Sequence, residues 1–162
     1  MVNDVELAHL QRCVDLAAEA VEAGDEPFGS VLVAADGTVL AEDRNRETSL
    51  ADPTRHPEFA LARWAAANMT APERAAATVF TSGEHCPMCA AAHGWVGLGR
   101  IVYAVSSVQL GQWLTGLGVA PSPVRALPIR DVAPGPEVTG PVPDLADQVH
   151  DLHRRFRATR SG

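Results

Sequence analysis

The 162-residue sequence contains no lysine; its 13 basic residues are all arginine. That absence excludes a Schiff-base lysine and the lysine of a phosphate-binding loop. Cysteine is scarce. Cys13, Cys86 and Cys89 are an odd number, which argues against a disulfide framework and for a reducing compartment. No apolar run reaches the length of a membrane span. The acidic, polar start MVNDVELAHLQRC has no signal-peptide pattern, so the chain is expected to stay in the cytoplasm. Cations are outnumbered as well: 20 acidic residues give a net charge of −7. That balance weighs against nucleic acid as a partner, because such affinity comes mostly from basic groups neutralising phosphates. One local exception, HRRFRATR (153–160), reads as a solvated helix end, where cations suit the helix dipole.

What is present is an ordinary globular composition, 46% hydrophobic and 20% charged. The length suits one domain, 1–162, with a core over about 1–106 and an arm and helix over about 107–162. Residues 3–23 read as an amphipathic helix with an Asn3–Glu6 capping box, Val5, Leu10, Val14, Ala17 and Val21 at helical spacing, and Gly24 as the stop. FGSVLVA (28–34) is a buried strand, and ADG turns it into a second over about 38–45. A helix over 57–69, strand 77–82, helix 87–97 and strand 100–106 follow. Beyond 107 the prolines predict a loop-rich arm with one short strand near 124–132, then a helix capped by Asp144. The order predicts an α/β fold: a three-layer α-β-α sandwich around a mixed sheet of about five strands.

The chemistry gathers in two segments, RHPEF and SGEHCPMCAAAHG. Cys86 and Cys89 are spaced to share one ion. His56 and Cys86 are each followed by proline, which pushes them out of helical geometry and itself suits the first helical position. Both are therefore expected to be N-cap residues pointing off a helix end, where thiolates are stabilised. His56, Cys86 and Cys89 make three ligands of a type that suits zinc. Three ligands leave a position for water, as in a catalytic site; His93, one turn after Cys89, is the rival fourth ligand that would close a structural site. Glu58 favours the catalytic alternative, since a carboxylate beside metal-activated water can shuttle protons. Cys13 falls in the helical apolar pattern and reads as a small core residue.

DPTRHPE followed by TSGEHCPMC resembles the zinc-dependent cytidine deaminase-like superfamily, in particular its guanine and cytosine (nucleobase) deaminase branch. PFGSVLV, NRETSLADPT and GRIVYAV fall in that family's order, so the resemblance runs from about Pro27 to Ala104. It implies a hydrolase that replaces an exocyclic amino group of a small aminated heterocyclic base by oxygen and releases ammonia. His56, Cys86 and Cys89 would hold Zn2+, and Glu58 would carry protons from water to the ring and the leaving amine. Asn45 would bind the base edge, and the Glu84 carbonyl would accept the departing amine's hydrogens. Phe28 and Trp95 match aromatic positions near the pocket. A homodimer with an exchanged C-terminal segment is also implied. Two residues depart from the family pattern. Pro57 stands where a small residue commonly donates its N–H to the base, which points to an aza-analogue, altered base or aminotriazine. His85 stands where proline is usual, and reads as lining a pocket or subunit contact, or as solvent-facing. A tRNA-specific adenosine deaminase shares these motifs, and a zinc-stabilised binding module is the non-enzymatic alternative.

Overall fold

In the computed structural model, which describes residues 1–160, the first helix, α1 (Asp4–Glu22), starts on the expected capping box. Asn3 Oδ1 accepts the Glu6 N–H at 2.9 Å and the Glu6 carboxylate accepts the Asn3 N–H at 3.0 Å. Gly24, with φ of +83°, lies just past its end. Leu10, Cys13, Val14, Leu16, Ala17 and Ala20 face inward, whereas Val5, expected on that face, is exposed in the first turn.

Strands β1 (Gly29–Val33) and β2 (Val39–Arg44) form the expected antiparallel hairpin. Helix α2 (Pro57–Asn68) and a short helix α3 (Ala71–Ala76) precede β3 (Thr78–Gly83), which pairs antiparallel with β1. Helix α4 (Pro87–Val96) then crosses to β4 (Arg100–Val105), parallel to β3. The five-stranded sheet runs β2-β1-β3-β4-β5, with β5 (Val138–Thr139) parallel to β4.

Side-chain alternation assigns the two faces. Val31, Val33, Phe80, Val102 and Ala104 pack against α1, while Leu32 and Val79 pack against Leu61, Ala62 and Ala65 of α2. Covered on both sides, β1 is buried at every position, as a central strand should be. Gly29 is the point of closest approach: a Cβ there would lie 2.3 Å from the Cys13 carbonyl oxygen and 2.5 Å from Leu16 Cβ.

Sequence reasoning missed two helices, both announced by capping boxes. Thr70 donates its N–H to Glu73 at the start of α3. Ser106 and Gln109 exchange bonds at the start of α5 (Ser107–Gly116). The arm differs further. The segment 124–132 holds no strand; it ends in a one-turn helix, α6 (Ile129–Val132), and the edge strand comes later at Val138–Thr139. Asp144 sits inside a 3-10 turn (Pro143–Leu145) rather than capping the last helix, α7 (Ala146–Arg160). A proline at the first position of that turn fixes its φ and starts the turn one residue ahead of Asp144. Helix α7 lays Val149 and Leu152 on the α1 side of the core.

Candidate metal centre

Two prolines build this site. Pro57 and Pro87 occupy the first turns of α2 and α4 and leave the preceding residues extended: φ −83°, ψ 139° at His56 and φ −67°, ψ 167° at Cys86. Neither side chain caps its own helix. Both turn instead toward a common point, which Cys89 reaches from inside the first turn of α4. The ligand atoms of His56, Cys86 and Cys89 lie within 4.8 Å of one another. His56 Nδ1 is 3.4 Å from Cys86 Sγ and 3.6 Å from Cys89 Sγ. A tetrahedral ion with metal–sulfur and metal–nitrogen bonds of about 2.3 and 2.05 Å would hold those atoms about 3.6 Å apart. Spacing and donor chemistry both fit zinc.

The electrostatics fit as well. A hydrogen bond from Cys89, aided by His56 and opposed by burial, holds the Cys86 thiol down to about 4. The Cys86 sulfur and burial push the Cys89 thiol far up. Burial works against a charged His56, but Cys86 and Glu47 carry its pKa up to about 10. Both shifts favour the thiolate at Cys86 and the charged form of His56 when no metal is bound, and a metal would take the place of a proton between them.

Glu58 is buried beside this cluster. Its Oε1 accepts the Thr81 hydroxyl at 2.7 Å, and its Oε2 lies 3.7 Å from Cys89 Sγ. Thr81 Oγ1 in turn accepts the Ser30 hydroxyl at 2.9 Å. Burial pushes the Glu58 carboxyl up, partly opposed by Thr81. The proximity of residues 56 and 58 follows from the N-cap: His56 is not yet helical, so the two side chains need not diverge.

His93 does not join the ligands. Its Nε2 lies 2.9 Å from the Gly99 carbonyl oxygen, and its ring packs edge-on against His85 with centroids 5.4 Å apart. Among the described residues, the metal cluster is His56, Cys86 and Cys89 alone. His85 is buried, not solvent-facing.

Asn45 is buried, and both ends of its amide are engaged by one residue: Nδ2 donates to Glu47 Oε1 at 2.7 Å and Oδ1 accepts the Glu47 N–H at 3.0 Å. Glu47 Oε1 also lies 3.1 Å from His56 Nε2. Sequence reasoning missed both Glu47 and Thr81. The Asn-x-Glu spacing, that of an Asx turn, is a signal for the first; nothing local marks the second.

Phe28 is half-buried against Gly83 at the end of β3, where an added Cβ would lie 3.2 Å from the ring. Its other side meets His153 of α7 edge-on at 5.2 Å. The carboxylate of Glu84 is committed to the fold, accepting the N–H groups of Ser107 at 2.8 Å and Ile129 at 3.1 Å. Only its carbonyl remains for the expected role. Trp95 is not brought to the cluster. It is 89% exposed and lines a depression with Ala77, Thr78, Leu98 and Gly99, at the opposite ends of β3 and β4 from Cys86. The HRRFRATR segment is also not simply solvated. Arg157 pairs with Glu26 at 2.9 Å and Arg160 donates to Thr48 at 3.3 Å. These arginines line a cleft of about 270 Å³ with Glu26, Glu47, Thr48 and Asp52, so α7 ends over the loop that carries Glu47.

Residues 4–105 match the family model for the cytidine and deoxycytidylate deaminase zinc-binding region. The chain is 41% identical over 104 residues to guanine deaminase of Bacillus subtilis (strain 168), an alignment covering 64% of this chain and 66% of that protein's length. It is 28% identical over 157 residues to a probable cytosine deaminase of Schizosaccharomyces pombe, covering 96% and 94%. A solved structure of guanine deaminase from Nitrosomonas europaea superposes with a TM-score of 0.70 at 20% identity, over 98% of this chain and 86% of that one, a likeness of fold.

Proposed function

We propose, from the premise that this chain belongs to the cytidine and deoxycytidylate deaminase zinc-binding family, that it is a zinc-dependent aminohydrolase of a free nucleobase or related aminated heterocycle. The observation that carries the reading is the three-atom ligand cluster with the buried Glu58 carboxylate beside it. Three protein ligands are the pattern of a catalytic zinc, and His93, the rival fourth, is turned to Gly99.

Zinc, when bound by His56, Cys86 and Cys89, supplies the Lewis acidity that makes water nucleophilic near neutral pH. Glu58 handles the protons. Thr81 holds Oε1, so Oε2 is the atom that takes the two protons of water in turn, passing the first to the ring nitrogen and the second to the departing amine. Burial raises the carboxyl toward the range in which it can do both. Asn45 orients the base edge, the Glu84 carbonyl receives the amine hydrogens, and Phe28 packs on the ring. A carbon–oxygen bond forms, a carbon–nitrogen bond breaks, and ammonia leaves.

Pro57 is buried at the first helical position and has no N–H to offer a base. That supports a substrate whose edge differs from plain guanine or cytosine: an aza-analogue, an altered base or an aminotriazine. The reading extends to residues 1–162 acting as one domain, as a homodimer in the cytoplasm, with the arm after 107 closing the site and no nucleic acid or membrane as partner.

The test is ammonia release from aminopurines, aminopyrimidines, aminotriazines and transfer RNA by wild type, Pro57→Ala and Glu58→Gln. Release from at least one free base, lost by a factor of about 10² to 10⁴ in Glu58→Gln at unchanged zinc content, is expected. Release from no base, or a Glu58→Gln variant as active as wild type, would sink the proposal. Identical base rankings for wild type and Pro57→Ala would remove the substrate refinement only.

A further inference from the structure

We propose that Glu47 is a positioning residue shared by the metal ligand His56 and by Asn45, so that one carboxylate sets both zinc affinity and the pose of the base-reading amide. The inference rests on His56 being a zinc ligand, as in the preceding reading.

Glu47 Oε1 serves two partners at once, accepting Asn45 Nδ2 at 2.7 Å and pairing with His56 Nε2 at 3.1 Å, while its backbone N–H closes a ring onto Asn45 Oδ1 at 3.0 Å. A carboxylate on Nε2 fixes the proton there, leaving Nδ1 as the nitrogen that faces the two sulfurs. It also raises the basicity of Nδ1 toward a cation. The same oxygen holds one Asn45 N–H and leaves the second for a base.

The backbone makes Glu47 a fixed point. Asn45 N donates to the Phe28 carbonyl at 2.9 Å, and Arg46 N to the Arg55 carbonyl at 3.1 Å, closing the neck of the loop between β2 and α2. Within the loop, the buried Asp25 accepts the Ser49 N–H at 2.8 Å and pairs with Arg44 at 2.9 Å. Asn45 and His56 stand at the two ends of that neck, and Glu47 bridges them. A side chain lacking this oxygen would release both ends together.

The experiment uses the full chain and zinc ion alone, titrated against a competing chelator without any base. Nitrogen-15 spectra of the zinc-loaded histidines report whether His56 keeps its Nε2 proton. Glu47→Gln, which retains an acceptor but loses the charge, is expected to weaken zinc binding about tenfold and to keep the Nε2 proton signal. Glu47→Ala is expected to weaken zinc up to about 100-fold, to lose that signal, and at saturating zinc to raise KM more than it lowers kcat for any base turned over. Asn45→Ala is expected to leave zinc affinity within about threefold while raising KM. Both Glu47 variants binding zinc within about threefold of wild type, with the Nε2 proton intact, would overturn the proposal. Should Glu47→Ala not fold, the Glu47→Gln titration decides alone. A wild type that binds no zinc would instead sink the deaminase reading, and a zinc-binding wild type inert to every base would leave the Glu47 result standing.

Discussion

His153 offers the sharpest quantitative test of the packing. It is 1% exposed, edge-on to Phe28, and neither ring nitrogen has a hydrogen-bond partner among the described residues. Burial, then the neighbouring Arg157 and His150, lowers its pKa from 6.5 to about 3. An unfolded histidine takes up a proton below about pH 6.5 and the folded one does not, so the unfolded state binds more protons across pH 6.5 to 3. Stability therefore falls as pH falls through that window. From pH 7.5 to 5.0 the linkage amounts to about 2 kcal/mol for this one group. His85 and His93, also lowered by burial, act in the same direction, while the raised carboxyls of Glu26 and Glu58 act in the opposite one. Only a difference measurement isolates His153. Urea unfolding of wild type and His153→Leu at pH 5.0, 6.0 and 7.5 supplies it, since the other groups are common to both. The two proteins are expected to differ by a constant from packing plus a pH-dependent gap that closes by about 2 kcal/mol between pH 7.5 and 5.0 in favour of the variant. Parallel stability curves would refute the reasoning, because they would mean that His153 takes up its proton as readily folded as unfolded.

Two further outcomes follow from contacts in the structure. Thr81→Val keeps the shape but removes the hydrogen bond that favours the ionised form of Glu58. The acid limb of the ammonia-release profile is expected to move to higher pH and kcat to fall about tenfold with little change in KM; an unmoved limb would contradict the role assigned to Thr81. Gly29→Ala would drive a Cβ into the Cys13 carbonyl and Leu16. A loss of about 3 kcal/mol or more in urea unfolding is expected, and a loss under 1 kcal/mol would mean that α1 sits farther from β1 than described.

The metal ligands were legible because the rule that exposes them is local. A residue before proline cannot stay helical, so HP and CP at helix starts declare two side chains that leave their helices. The hairpin and the central strands followed from short apolar runs bounded by turn residues, with Gly37 in the turn of the hairpin. The missed helices α3 and α5 also carried local signals, capping boxes at Thr70 and Ser106. Pro72 inside α3 and the prolines that follow α5 outweighed them in a reading that gives proline a breaker's role.

What stayed hidden are pairings between distant segments. No local pattern says that Thr81 of β3 lies under Glu58 of α2, that Glu47 reaches His56, or that α7 returns to Phe28 and Glu26. The same holds for His93, whose spacing from Cys89 allows a metal bond that the Gly99 carbonyl forestalls, and for Trp95, which has an aromatic's identity but the wrong end of its helix. The sequence by itself determined which side chains are offered as metal ligands, with the Glu58 carboxylate beside them, because steric rules within a few residues set their directions. Only the tertiary structure decided which partners they meet, because that depends on how the sheet order and helix packing bring separate segments within hydrogen-bond reach.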